Sequence, residues 1–233
     1  MKICATTLGE TAGDLFSMTL HLGYALSGVA LLGMFFVSLR AQLAARRFHP
    51  ALFWLVILTT STAGTTMSDF MDRSLALGYA LGATVLVTAL AGVLAAWWLT
   101  ERSLSVDRIR TRRAEVFYWT AILVSNTLGT ALGDFLSDAS GLGLLGGAAL
   151  IGGAILLVAL AARHTRISRV LLFWVAFVLT RPFGATFGDL LTKPARLGGL
   201  GLGTAGSSAV LAALLLGLLA WTLRAASTPA VSR

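Results

Sequence analysis

Charge is what this 233-residue chain lacks most: Asp, Glu, Lys and Arg make up 12% of it, and hydrophobic residues 57%. A soluble domain carries roughly 25% charged residues, so this chain cannot clothe a water-facing surface. Cysteine is nearly absent as well. With Cys4 alone there is no internal disulfide and no thiolate metal site. Three histidines, His21, His49 and His164, fall at expected helix ends or loops and read as solvated side chains. The net charge of +8 does not point to nucleic acid, because the basic residues sit in short loops between apolar runs, where they set membrane orientation. A charged n-region followed by a clean apolar h-region is also lacking, so no cleavable signal peptide is expected.

What is present is a series of apolar runs, each long enough to cross the roughly 30 Å hydrocarbon core of a bilayer. Eight spans are expected, at about 3–19, 22–44, 50–71, 75–99, 115–137, 141–162, 168–191 and 199–223. The loops after the even spans are basic: Arg40, Arg46 and Arg47; Arg102, Arg108, Arg110, Arg112 and Arg113; Arg163, Arg166 and Arg169; then Arg224 and Arg233 in the tail. Those after the odd spans carry only Arg73, Lys193 and Arg196. The positive-inside rule then puts both termini in the cytoplasm. A bacterial inner membrane, multi-pass, is the expected location, with the lipid bilayer as the first partner.

The odd spans share a motif: GETAGD (9–14), GTTMSD (64–69), GTALGD (129–134) and GATFGD (184–189). Its aspartates, Asp14, Asp69, Asp134 and Asp189, are spaced by 55, 65 and 55 residues. Trp54, Trp119 and Trp174 each precede the motif glycine by ten, and Gly23, Gly78, Gly143 and Gly198 each follow the aspartate by nine. Three registers agreeing over four copies mark a duplication. The chain divides into repeats at about 1–47, 48–112, 113–167 and 168–226, forming one transmembrane domain. All four motifs share one orientation, so the repeats are parallel, about an axis along the membrane normal.

By the Gly-Asp motifs, the three tryptophans and the stretch from Thr180 to Pro194 (TRPFGATFGDLLTKP), the chain resembles a bacterial membrane-protein family of four tandem two-helix repeats, described as a repeat of unknown function. The resemblance spans nearly the whole chain. It implies fold and location and no activity. The first copy departs from it: no tryptophan precedes GETAGD, so the first span is expected to be short or its start cut. The stretch LGETAGD is also similar to Glu-x-Gly-Asp motifs of some Ca²⁺/Mn²⁺ transporters.

On a helix turning about 100° per residue, the small pairs Gly9/Gly13, Gly64/Ser68, Gly129/Gly133 and Gly184/Gly188 share one face and permit close packing. With Asp at 0°, the residues three before it (Thr11, Thr66, Ala131, Thr186) lie near about +60°, and those eight before it (Thr6, Ser61, Asn126, Arg181) near about −80°. Glu10, four before Asp14, lies near about −40°. Odd spans therefore belong at the centre with polar stripes inward, and the almost purely apolar even spans outside. This is an all-α fold with a two-plus-two pseudo-four-fold repeat.

The candidate site is Glu10, Asp14, Asp69, Asp134 and Asp189 as metal-binding acids, with Thr11, Thr66, Thr186, Asn126 and Arg181 beside them and Lys2 close by. Intramembrane charge costs about 2.5–3.5 kcal/mol per group unless paired or hydrated. Five acids against two bases favour a cation, and oxygen-only ligands suit Mg²⁺, Ca²⁺ or Mn²⁺. The expected function is transport or export of a small ion or solute, with a divalent cation exchanging against protons and bound in transit, and with no resident cofactor and no enzyme activity. Arg181 is expected to reach Asp14, Asp69 or Asp134, and Thr11, Thr66 and Thr186 to add neutral oxygens. The bland reading is a scaffold or sensor whose glycines pack helices and whose acids pair with Arg181 or Lys2. A third reading, an intramembrane aspartyl enzyme, uses two of the Gly-Asp carboxylates as an acid/base pair. The tryptophans read as interfacial belt and packing residues. The glycine run 199–206 lacks the Lys-Ser/Thr of a phosphate loop and reads as helix packing.

Overall fold

The computed structural model describes residues 1–45, 49–106, 109 and 111–227. Arg46, Arg47, Arg108, Arg110 and Arg233 lie outside them. Eight α-helices make up the described fold: α1 (Lys2–Asp14), α2 (Gly23–Ala44), α3 (Pro50–Asp69), α4 (Gly78–Glu101), α5 (Arg112–Asp134), α6 (Gly143–His164), α7 (Arg169–Thr192) and α8 (Gly203–Ser227). Local chemistry sets several ends. His49 accepts the Leu52 N–H at 3.4 Å ahead of Pro50 at the first turn of α3, and Thr111 accepts the Ala114 N–H at 3.0 Å to start α5.

The other ends of the first three odd helices were not legible in the sequence. In the first three repeats the α-helix stops at the motif aspartate and continues as one π-helical turn, over Leu15–Thr19, Phe70–Ser74 and Phe135–Ala139. Such turns are rare and concentrate at functional sites. The repeated glycines Gly23, Gly78, Gly143 and Gly198 then take φ of +74°, +72°, +66° and +83°, the left-handed geometry that reverses the chain at little cost only without a side chain.

The odd helices close a ring, α1 against α3, α3 against α5, α5 against α7 and α7 back against α1. Each even helix packs outside this ring on the odd helix of the next repeat: α2 on α3, α4 on α5, α6 on α7, and α8 on α1. The repeat unit in sequence is thus not the packed pair, and the four copies interlock around the circle. At most 22% of the apolar stretch of any even helix is buried, against 61% in α3 and 44% in α7. The even helices are therefore the outer layer.

Among the described residues six helices are long and apolar enough to cross a membrane, and with them the chain is a membrane protein. The other two, α1 and α5, fall short of that measure: α1 is brief and carries Lys2, Glu10 and Asp14, while the middle of α5 carries the polar residues Ser125, Asn126, Thr127 and Thr130. Both stand in the ring beside α3 and α7.

Glycine permits the ring to close. A Cβ on Gly64 would lie 2.9 Å from Asn126 Cβ and 3.0 Å from the α5 backbone; one on Gly184 would lie 2.9 Å from Thr6 Cβ; one on Gly188, 3.1 Å from Glu10 Cβ. Each repeat thus seats its glycines against the next copy. Gly64→Ala is expected to destabilise the fold by about 1–3 kcal/mol through overpacking. Gly33→Ala on the outer face of α2, where a Cβ meets nothing within 4 Å, is expected to be neutral or to stabilise by about 0.5–1 kcal/mol. Unfolding midpoints in mixed detergent compare the two.

Candidate functional site

Stepping four residues at a time along each odd helix gives four polar layers around the ring axis. The deepest holds Thr6, Ser61, Asn126 and Arg181, and the next Glu10, Thr65, Thr130 and Ala185. Above these lie Asp14, Asp69, Asp134 and Asp189, and the outermost layer holds Met18, Arg73, Asp138 and Lys193.

Arg181 is wholly buried. Its Nη1 donates to Glu10 Oε2 at 2.8 Å, its Nη2 donates to the Ser61 carbonyl at 3.1 Å and to Thr65 Oγ1, and its stem lies against Gly129. Glu10 Oε2 also accepts from Thr65 at 3.1 Å and Thr130 at 3.3 Å. All three other odd helices therefore reach Glu10 on α1. The expected contact of Arg181 with Asp14, Asp69 or Asp134 is not made. Those carboxylates sit eight residues further along the helix, a rise of ~12 Å that an arginine cannot span.

Three of the four motif aspartates, Asp69, Asp134 and Asp189, are held from above. Arg73 lies 3.2 Å from Asp69 and 3.5 Å from Asp134, and its Nη1 donates to Tyr24 at 3.0 Å. Lys193 lies 2.8 Å from Asp189 and 3.3 Å from Asp138. Burial alone would lower the Lys193 pKa, but the Asp189 carboxylate beside it outweighs this and holds it above the ordinary lysine value. Sequence reasoning placed Arg73 and Lys193 in the loops and passed over Asp138. The signal was present: a charge recurs four residues after the aspartate in three of four copies.

Other expected members stand elsewhere. Thr66 and Thr186 donate to carbonyls of their own helices, and Thr11 bonds to Leu8 O and to Ser208 on α8. None of the three bonds to an acid among the described residues. Asn126 turns to Thr60 at 3.0 Å. Lys2 donates to the Phe177 carbonyl at 3.3 Å and lies 2.8 Å from the centre of that ring, away from the acids.

A cavity of about 510 Å³ enters from the short-loop end. Six acids line it (Glu10, Asp14, Asp69, Asp134, Asp138 and Asp189) and two cations, Arg73 and Lys193. Oxygens of Glu10, Asp14 and Asp189 lie within 4.8 Å of one another, all three side chains buried. Beyond Glu10 the axis is closed by Arg181 and then by Ile57, Ile122 and Phe177, all buried. Beyond those comes an aromatic cluster: Trp97 packs at 5.9 Å on Trp174, and Tyr118 at 5.0 Å on Trp119. Trp119 is only 2% exposed and Trp174 donates to the Leu104 carbonyl at 3.1 Å, so these two are core residues and not a surface belt.

The family described as Repeat of Unknown Function (DUF347) matches the chain four times, at residues 1–48, 52–103, 117–168 and 172–228. The chain belongs to this family. No curated protein and no solved structure matches it. The four matched DUF347 repeats each supply one residue to every polar layer, so the cavity is a joint product of all four and no single repeat contains it.

Proposed function

We propose that the chain is a transporter or exporter of a small cation, most suitably a divalent one of the Mn²⁺, Mg²⁺ or Ca²⁺ class, with the acid-lined cavity as its entry and proton exchange as its coupling. One observation carries this reading: six acids and two cations enclose a single cavity at the centre of a ring of membrane helices. Carboxylate oxygens alone suit hard cations, and buried acids in excess of their partners are expensive unless a charge arrives to meet them. The arginines that follow the even helices in sequence, against few after the odd ones, support a bacterial cytoplasmic membrane with both termini inside, which turns the cavity outward.

A second reading is a non-transporting scaffold or sensor. It is favoured by the pairs Arg181–Glu10, Arg73–Asp69 and Lys193–Asp189, which neutralise much of the core internally. Flux separates the two. Reconstituted wild type is expected to move Mn²⁺, Mg²⁺ or Ca²⁺ across vesicles carrying a pH gradient, and Asp69→Asn and Asp134→Asn to slow it by about tenfold or more, as loss of a nearby charge does. If the wild type moves none of the three ions, or the variants move them equally well, the scaffold reading stands.

A further inference from the structure

The outermost layer differs among the four repeats in a way that singles out one acid. Arg73 serves Asp69 and Asp134, and Lys193 serves Asp189 and Asp138. The first repeat has Met18 in that position, which brings no charge. Among the described residues Asp14 makes no ion pair and no side-chain hydrogen bond, although it is 9% exposed and faces the cavity. Its neighbour Glu10 takes all its hydrogen bonds on Oε2, and Oε1 accepts none. Of the three acids whose oxygens converge within 4.8 Å, two thus offer an oxygen that no donor holds. The third, Asp189, is held by Lys193, and that ammonium already lies 3.3 Å from a second carboxylate, Asp138, which Tyr79 steadies at 3.4 Å.

We propose that Glu10, Asp14 and Asp189 bind a divalent cation, and that Lys193 makes room for it by passing from Asp189 to Asp138. This rests on the cation-transport reading and adds which repeat supplies the open ligand and which residue yields. The spacing is suitable: metal–oxygen bonds of about 2.0–2.6 Å put two ligands of one ion at most roughly 5 Å apart. The exchange is balanced. Asp189 trades a single positive charge for a share of two, and Lys193 keeps a carboxylate partner in both states, so no charge is left uncompensated in the interior. The remaining coordination positions fall to water, for which the cavity has room.

Mn²⁺ binding to the full chain in detergent, read from the paramagnetic resonance of the free aqueous ion, tests this. Lys193→Met, which copies the first repeat, is expected to tighten Mn²⁺ binding by about tenfold or more, the effect of one nearby charge removed. Asp138→Asn denies Lys193 its second partner and is expected to weaken binding to a similar degree. Asp14→Asn is expected to weaken it about a hundredfold. Unfolding midpoints without metal show which variants are folded, and Asp138→Asn carries the displacement test should Lys193→Met not fold. Unchanged or weaker binding by a folded Lys193→Met, or unchanged binding by Asp138→Asn, overturns the displacement. A wild type that binds no Mn²⁺, or an Asp14→Asn that binds as wild type does, overturns the site. Binding without flux in vesicles refutes transport and leaves the site standing. Flux with no effect of these variants on affinity refutes the site and leaves transport standing.

Discussion

Arg181→Thr alone is expected to cost about 3–5 kcal/mol of stability, the usual penalty for leaving one partner of a buried ion pair uncompensated. Glu10 would keep only the hydroxyls of Thr65 and Thr130 against a full negative charge. Glu10→Thr alone is expected to cost a similar amount, because the guanidinium would then face only neutral oxygens, the Ser61 carbonyl and Thr65 Oγ1 chief among them. The two changes together should recover most of the loss, to within about 1–2 kcal/mol of wild type, since replacing both members of a buried pair is often near neutral. The repeats supply the reason to expect it here. The position of Arg181 is occupied by Thr6 and Ser61 in two other copies, and that of Glu10 by Thr65 and Thr130. The double variant therefore gives the two central layers residues that this ring already accommodates. A double-mutant cycle on unfolding free energies isolates the coupling. Additive losses would mean that the two residues stabilise the ring independently.

Asp14→Asn is expected to lower cation flux about a hundredfold, because removal of even an outer partner of a metal ligand costs 10–100-fold in affinity. Asp72→Asn is the matched control. Asp72 is also buried, three residues beyond a motif aspartate, but it bonds to Ser68 and packs against Gly82 outside the cavity. It is expected to leave flux within about twofold of wild type, because Asp72 does not line the cavity. Equal losses from both variants would indicate a general intolerance of lost charge in the core and would sink the special role of Asp14.

Much of the architecture was legible because its causes are periodic. The motif spacing, the apolar even spans and the glycine pairs fix a ring of odd helices with the even ones outside, and helix ends such as Ala44, Pro50 and Thr192 fall within a residue or two of those expected. Pairing of side chains was less legible, because a helical wheel records angle and discards height. Arg181 and the aspartates look like neighbours in projection but stand two helical turns apart, while Glu10, one turn away on the adjoining helix, is within reach. Thr11, Thr66 and Thr186 lie near the acids in angle, yet their hydroxyls satisfy carbonyls in the preceding turn or meet α8, the common fate of threonine in an apolar helix. The π-helical turns after Asp14, Asp69 and Asp134 have no sequence signature among these residues. They carry the chain from each motif aspartate to the residue four further on, and so to Arg73 and Asp138 at the cavity mouth. Lys193 reaches the same layer without such a turn, because α7 ends at Thr192 with Pro194 just beyond.

An anomalous-difference density map of the protein soaked in Mn²⁺ bears most directly on the cavity as a cation site. The expected result is a peak bounded by Glu10, Asp14 and Asp189, with Lys193 drawn to Asp138. A map with no Mn²⁺ among the ring acids, and Lys193 still on Asp189, would contradict it.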